Sequence, residues 1–159
     1  MRRTLTLLTA ATLAIAACGE DDSGPRAHDA EVYGAVIRAL APDPPGEPVR
    51  ELDRDVFVGP IDDEVDISLG VQASVVDDLE KFATIRFVDD KDEAIGSDER
   101  EPVIDDGVLV LLGRVPTGGS PTVRAVRYVD ADDSRRFRVT VRGSDDVWNV
   151  VDIERRTTG

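Results

Sequence analysis

The segment from Arg136 to Arg142 constrains the fold of this chain more than any other stretch of its sequence. Phe137, Val139 and Val141 alternate in it with arginine and threonine residues. A period of two residues indicates a β-strand that buries one face and exposes the other. Half-buried strands of this kind are typical of antiparallel sheets with one face packed on the hydrophobic core. The sequence therefore predicts a sheet that is covered on one face.

Two helices and further strands are expected around this segment. Asp29 can cap a helix over residues 30–41, and apolar residues at helical spacing predict a second helix over residues 71–81. Strands are expected over residues 55–60, 82–88, 108–115, 123–129, 136–142 and 147–154. Because sequential strands tend to be neighbours, we expect an α+β domain with a curved antiparallel sheet of about five to six strands and two helices packed on one face.

Three segments support more specific expectations. The continuous apolar run in residues 108–115 predicts a central strand that is buried on both faces. The alternation of residues 123–129 slips at Ala125-Val126, which predicts a β-bulge. Residues 89–102 are polar throughout most of their length, and loops this long are either functional or loosely packed.

The predicted order of elements, together with a late strand that contains Trp148, loosely resembles the cone-shaped NTF2-like and cystatin-like α+β domains. The resemblance rests on element order alone and includes no residue motif. It therefore implies a fold and no activity.

The chain begins with the pattern of a secretory signal peptide. Arg2 and Arg3 precede an apolar or small stretch from Thr4 to Ala17. This stretch is too short to cross a bilayer, because a spanning helix needs about 20 residues. A positive start, an apolar centre and small residues at the end are typical of a secretory signal, which we assign to residues 1–17.

The end of this stretch, Ile15-Ala16-Ala17-Cys18, resembles the bacterial lipobox, in which an aliphatic and two small residues precede a cysteine. The resemblance implies that signal peptidase II recognises Ile15, Ala16 and Ala17 and cuts before Cys18, whose sulfur carries diacylglycerol. Cys18 is the only cysteine of the chain and stands where the pattern requires it. Such lipid chains hold a protein on a membrane, since each buried methylene contributes about 0.8 kcal/mol.

The alternative is an A-x-A site for the ordinary signal peptidase at Ala14-Ile15-Ala16, which would release a soluble secreted protein. It would also leave an unpaired cysteine near the new terminus. We therefore expect an extracytoplasmic protein that is lipid-anchored to the bacterial cell membrane through Cys18. Residues 18–28, which are polar and contain glycine and proline, are expected to form a flexible tether, and residues 29–159 a single domain.

The net charge of the chain disfavours two kinds of anionic partner. The chain has 19 basic and 33 acidic residues, and removing Arg2 and Arg3 leaves a net charge of −16. Nucleic-acid binding is disfavoured, because contacts to phosphates require clustered lysine and arginine. Binding of the domain surface to anionic lipid headgroups is disfavoured for the same reason.

Few catalytic groups are present. His28 is the only histidine and lies in the expected tether or at the edge of the first helix, so the domain cannot hold a serine triad or a histidine-rich zinc site. The sequence has no G-x-S-x-G, P-loop or G-x-G-x-x-G motif. No cofactor is expected.

Carboxylates remain as the abundant reactive groups. A glycosidase needs two of them across a cleft, but the abundance of acids does not single out a pair. Asp130-x-Asp132-x-Ser134 resembles the start of an EF-hand loop, yet the positions that require Gly and Glu are occupied by Arg135 and Val141. Asp89, Asp90, Asp92 and Glu93 could also gather around a hard cation. Solvated turn acids are the preferred interpretation of both groups.

The sequence therefore favours a non-enzymatic binding or interaction module on the cell envelope. Its partners would be membrane lipid, through acylated Cys18, and an envelope protein, glycan or small ligand. A carboxylate-based hydrolase and a calcium-dependent adhesion or sensor module are the alternatives.

Overall fold

The computed structural model describes residues 25–96, 100–144 and 147–157, with side chains from His28 onward. These residues form helices and strands in one α+β fold, as the sequence predicts. In chain order the elements are α1 (Pro25–Leu40), β1 (Asp55–Pro60), α2 (Leu69–Leu79), β2 (Thr84–Phe87), α3 (Asp92–Ile95), a 3-10 turn (Ile104–Asp106), β3 (Val108–Leu112), β4 (Thr122–Tyr128), β5 (Ser134–Ser144) and β6 (Val147–Arg156).

The six strands form one open sheet in the order β2-β1-β3-β4-β5-β6. The pairs from β3 to β6 are antiparallel, but β1 runs parallel to both β2 and β3. The prediction of an antiparallel sheet is therefore wrong for this half, and the sheet is mixed. Parallel neighbours need a long crossover connection. The connection between β1 and β2 contains α2. Residues 88–107 connect β2 to β3, which pairs with the opposite edge of β1.

The helices α1 and α2 pack together on one face of the sheet. Both present apolar residues at a spacing of four to this core. They are Val32, Val36 and Leu40 from α1 and Val71, Val75 and Leu79 from α2. α1 begins at Pro25, four residues before the predicted cap at Asp29. A proline in the first helical turn is tolerated because its missing N–H has no partner within the helix in any case.

A third, short helix covers part of the opposite face, where only two helices were expected. α3 lies within the predicted long loop, and its Ala94 and Ile95 are buried against Phe57, Leu109 and Tyr128. Burial of Ala94 and Ile95 thus packs α3 against the sheet, although the rest of the segment is polar. The rest of the face, over β4, β5 and β6, has no helix upon it within the described residues.

The structure confirms β3 as a strand buried on both faces. Val108, Val110 and Leu112 face the two long helices, and Leu109 faces α3. Its neighbours β1 and β4 place it inside the sheet. This double burial explains why its sequence shows no alternation.

The predicted bulge at Ala125-Val126 is wrong. β4 pairs with β3 and β5 in continuous register, and the irregularity in the sheet falls instead between Thr140 and Val141 of β5. The alternation of β4 is disguised because Arg127 points to the buried side of the strand and is fully buried. A charged residue on the core side thus interrupts the apolar pattern without any change of register.

Candidate functional site

A wide, open groove of about 1390 Å³ lies on the face of the sheet opposite α1 and α2. β3, β4, β5 and β6 contribute its floor, and Lys91 and Ile95 line it from the α3 side. Leu111 and Val126 are half-buried in the floor. The groove is larger than the second cavity, which is described below, and it is the candidate binding site.

Four arginines project from this floor: Arg124 of β4, Arg136 and Arg138 of β5, and Arg156 of β6. We call them the arginine face. They share a face because they occupy positions that alternate with core residues such as Ala125 and Val139, and successive side chains of a strand point to opposite sides.

The register places two pairs of like charges directly opposite each other, although Arg138 also faces the acid Glu154 on its β6 side. Arg124 pairs with Arg138 across β4 and β5, and Arg136 pairs with Arg156 across β5 and β6. Like charges in such positions destabilise a sheet.

Two of the four arginines have acidic partners in the structure. Nη2 of Arg124 lies 3.4 Å from Oδ2 of Asp62, and Nη1 of Arg156 lies 2.9 Å from Oε1 of Glu154. Among the described residues, Arg136 and Arg138 form no ion pair, and both side chains are exposed. Their guanidinium groups are therefore available to an anion in the groove.

The groove has a positive lining in an acidic protein. Its described lining residues include Lys91, Arg114 and the arginine face, but Asp62 is the one carboxylate among them. The net charge of the whole chain is −14. Sequence reasoning disfavoured anionic partners from this total, and it missed that the sheet gathers arginines from three strands. The alternating arginines of residues 136–142 were the available signal.

Hydrogen bonds hold residues 101–103 against β4 and the residue that follows it. The hydroxyl of Tyr128 donates to the carbonyl oxygen of Glu101 at 2.6 Å, and the backbone N–H of Val103 donates to the carbonyl oxygen of Val129 at 2.8 Å. The buried Ile95 holds α3 against the sheet at the side of the groove.

A smaller cavity of about 490 Å³ lies beside the edge strand β2 and has more acidic residues in its lining. Nη2 of Arg86 lies 2.8 Å from Oδ2 of Asp55, and its Nη1 lies 4.0 Å from Oδ2 of Asp105. An arginine thus stands between these two carboxylates. Hydrolysis by two acids requires carboxylates that face each other across a space open to the substrate. Here Arg86 occupies the space between Asp55 and Asp105.

The candidate calcium ligands are used in local turns. Oδ1 of Asp130 accepts the backbone N–H groups of Asp132 and Asp133, each at 2.8 Å. The N–H of Asp89 donates to Oε1 of Glu93, and Asp92 opens α3. Within residues 25–96, 100–144 and 147–157, no three His, Cys, Asp or Glu side chains are grouped to hold a metal ion.

His28 and Trp148 meet where the expected tether joins the domain. Their ring centroids are 4.2 Å apart with an interplanar angle of 69°. His28 lies inside α1, and Trp148 is half-buried on β6. Burial raises the pKa of the neighbouring Asp29, and the charge of His28 offsets part of this increase. The pair connects the start of α1 to the edge of the sheet.

Ile15, Ala16, Ala17 and Cys18 lie outside the described residues, so the lipobox remains a prediction. None of the described helices combines the length and apolar character that spanning a bilayer requires. The chain matches no protein-family model, no curated protein and no solved structure.

Proposed function

We propose that this protein is a lipid-anchored lipoprotein of the bacterial cell envelope whose single α+β domain is a non-enzymatic binding module. Cys18 would carry the lipid, and residues 18–24 would connect it to α1. The domain would present the arginine face to a ligand outside the membrane. The likeness of the element order to NTF2-like and cystatin-like domains is kept as part of this proposal.

The observation that supports binding is the groove itself. It combines a recessed, half-apolar floor with exposed guanidinium groups that have no acidic partner among the described residues. Binding sites typically pair apolar surface with a few polar groups that orient the ligand. The alternative functions, a carboxylate-based hydrolase and a calcium module, have no comparable feature among the described residues.

The anchor is tested by labelling cells that produce the full chain with a palmitate analogue. The unchanged protein should take up label and lose residues 1–17, whereas Cys18→Ala should do neither. A Ser23→Ala variant is the matched control, because it changes a nearby small residue and should label normally. Continued labelling of Cys18→Ala would refute the anchor.

The non-enzymatic assignment is tested separately with a panel of hydrolase substrates. We expect no turnover by the full chain. Turnover that is abolished by changing one carboxylate, for example Asp55→Asn or Asp62→Asn, would overturn the non-enzymatic assignment.

A further inference from the structure

We infer that the arginine face binds an extended, acidic segment of polypeptide. This inference rests on the proposed binding function and adds the chemical class of the ligand. It depends on the charge of the groove, the spacing of its arginines and the shape of the site.

Charge complementarity is the first reason. Arg136 and Arg138 are exposed without an ion pair among the described residues, and each faces another arginine across the sheet. Arg138 also faces Glu154 on β6, but the carboxylate of Glu154 pairs with Arg156. A carboxylate placed between facing guanidinium groups would reduce their repulsion and accept hydrogen bonds from both. The planar guanidinium suits this role because its fork of donors matches a carboxylate.

Spacing is the second reason. Arg136 and Arg138 are two residues apart on one strand, so their Cα atoms are separated by about 6.8 Å. An extended polypeptide repeats its side chains on one side at the same interval. Acids at alternate positions of such a segment would therefore meet Arg136 and Arg138 in sequence. Arg124 and Arg156, on the neighbouring strands, would contact the same carboxylates from either side.

The shape of the site suits an extended chain. The floor of the groove runs across β3, β4, β5 and β6, and Lys91 and Ile95 line it from the α3 side, so a single extended segment can lie along it. The half-buried Leu111 and Val126 can pack against the methylene groups of glutamate side chains.

The test uses the full chain in an uncharged detergent and a fluorescent peptide of alternating glutamate and serine. Binding is measured by fluorescence anisotropy at low salt. Two further probes are a peptide of the same composition with its glutamates in one block, and a peptide of alternating lysine and serine. Only the alternating acidic peptide should bind well, and added salt should weaken it, since exposed charges are screened.

Three variants locate the site. Arg136→Gln and Arg138→Gln should each weaken binding by about fivefold, as expected for the loss of one exposed charge pair. Arg155→Gln is the matched control: it removes the same charge from β6, but Arg155 lies opposite Phe137 on the other face of the sheet. Its effect should stay within about twofold.

Several outcomes would overturn the inference. They are failure of the alternating acidic peptide to bind, equal binding of the block peptide, or an equal loss with Arg155→Gln. Arg138-dependent binding to phosphatidylglycerol vesicles without binding to the peptide would assign the face to a membrane instead. These failures leave palmitate labelling and the absence of turnover unchanged, so they are distinguishable from failure of the proposed function.

Discussion

Nη1 of Arg127 lies 2.5 Å from Oδ2 of Asp133, and the arginine side chain is fully buried. The pair joins β4 to the turn before β5 on the side of the sheet that packs against α1. Nη2 of Arg127 is 3.8 Å from Oδ1 of Asp43, which follows α1. Nε and Nη2 have no hydrogen-bond partner among the described residues, so Asp133 is the main compensation for a buried positive charge.

Removing Asp133 should therefore destabilise the domain strongly. Asp133→Ala leaves the buried guanidinium of Arg127 with only the 3.8 Å contact to Asp43, and we expect the free energy of unfolding to fall by about 3 kcal/mol. Arg127→Met, which removes the charge and keeps much of the volume, should cost less. The double variant should recover part of the loss. Chemical denaturation of all three variants measures this, and additive losses would contradict it.

Arg138→Gln should change the stability of the domain little. Arg138 lies between Arg124 of β4 and Glu154 of β6, so the change removes a repulsion and an attraction together, and the net effect should stay within about 0.3 kcal/mol at low salt. Thermal unfolding at low and high salt measures it, with Arg155→Gln as the control. A clear loss of stability would show that Arg138 serves the fold rather than a ligand.

Asp29 should make stability depend on pH. Burial raises the pKa of Asp29 in the folded state, so folding favours the neutral carboxyl. The stability that this preference contributes is fully present below the ordinary pKa of 3.8 and is lost as the pH rises through the raised pKa. Asp29→Asn has no charge to bury. Its melting temperature, relative to that of the unchanged protein, should therefore be higher at pH 7 than at pH 3.

The control for this measurement is Glu31→Gln, which changes an exposed acid on the same helix. The difference in melting temperature between Glu31→Gln and the unchanged protein should vary less with pH. A larger pH effect for Glu31→Gln than for Asp29→Asn would contradict the assignment.

Two glycines should respond in opposite directions to the same change. A Cβ atom at Gly107 would lie 2.9 Å from Cε2 of Phe57 and 3.0 Å from the backbone oxygen of Asp55. We expect Gly107→Ala to cost about 2 kcal/mol, because backbone would have to move. Gly70 lies in α2 with open space around it, and Gly70→Ala should stabilise by about 0.5 kcal/mol. Denaturant midpoints of both variants test this, and a stabilising Gly107→Ala would contradict the packing described.

Much of the secondary structure could be predicted because burial leaves a local pattern. Val32, Val36 and Leu40 recur at helical spacing, and Phe137, Val139 and Val141 alternate, and all of them are buried. Pairing could not be predicted in the same way. Whether β1 meets β2 as a parallel neighbour depends on the path of the chain through α2, which no local period records.

The sequence by itself determined the two long helices and the six strands and which of their faces are apolar, since these follow from the period of its apolar residues. It also contains the Cys18 pattern on which the proposed anchor rests. Only the tertiary structure decided that Arg127 is buried, that α3 borders a groove, and that Arg124, Arg136, Arg138 and Arg156 share one face. The reason is that these relationships are set by strand order and register, which join residues distant in the chain.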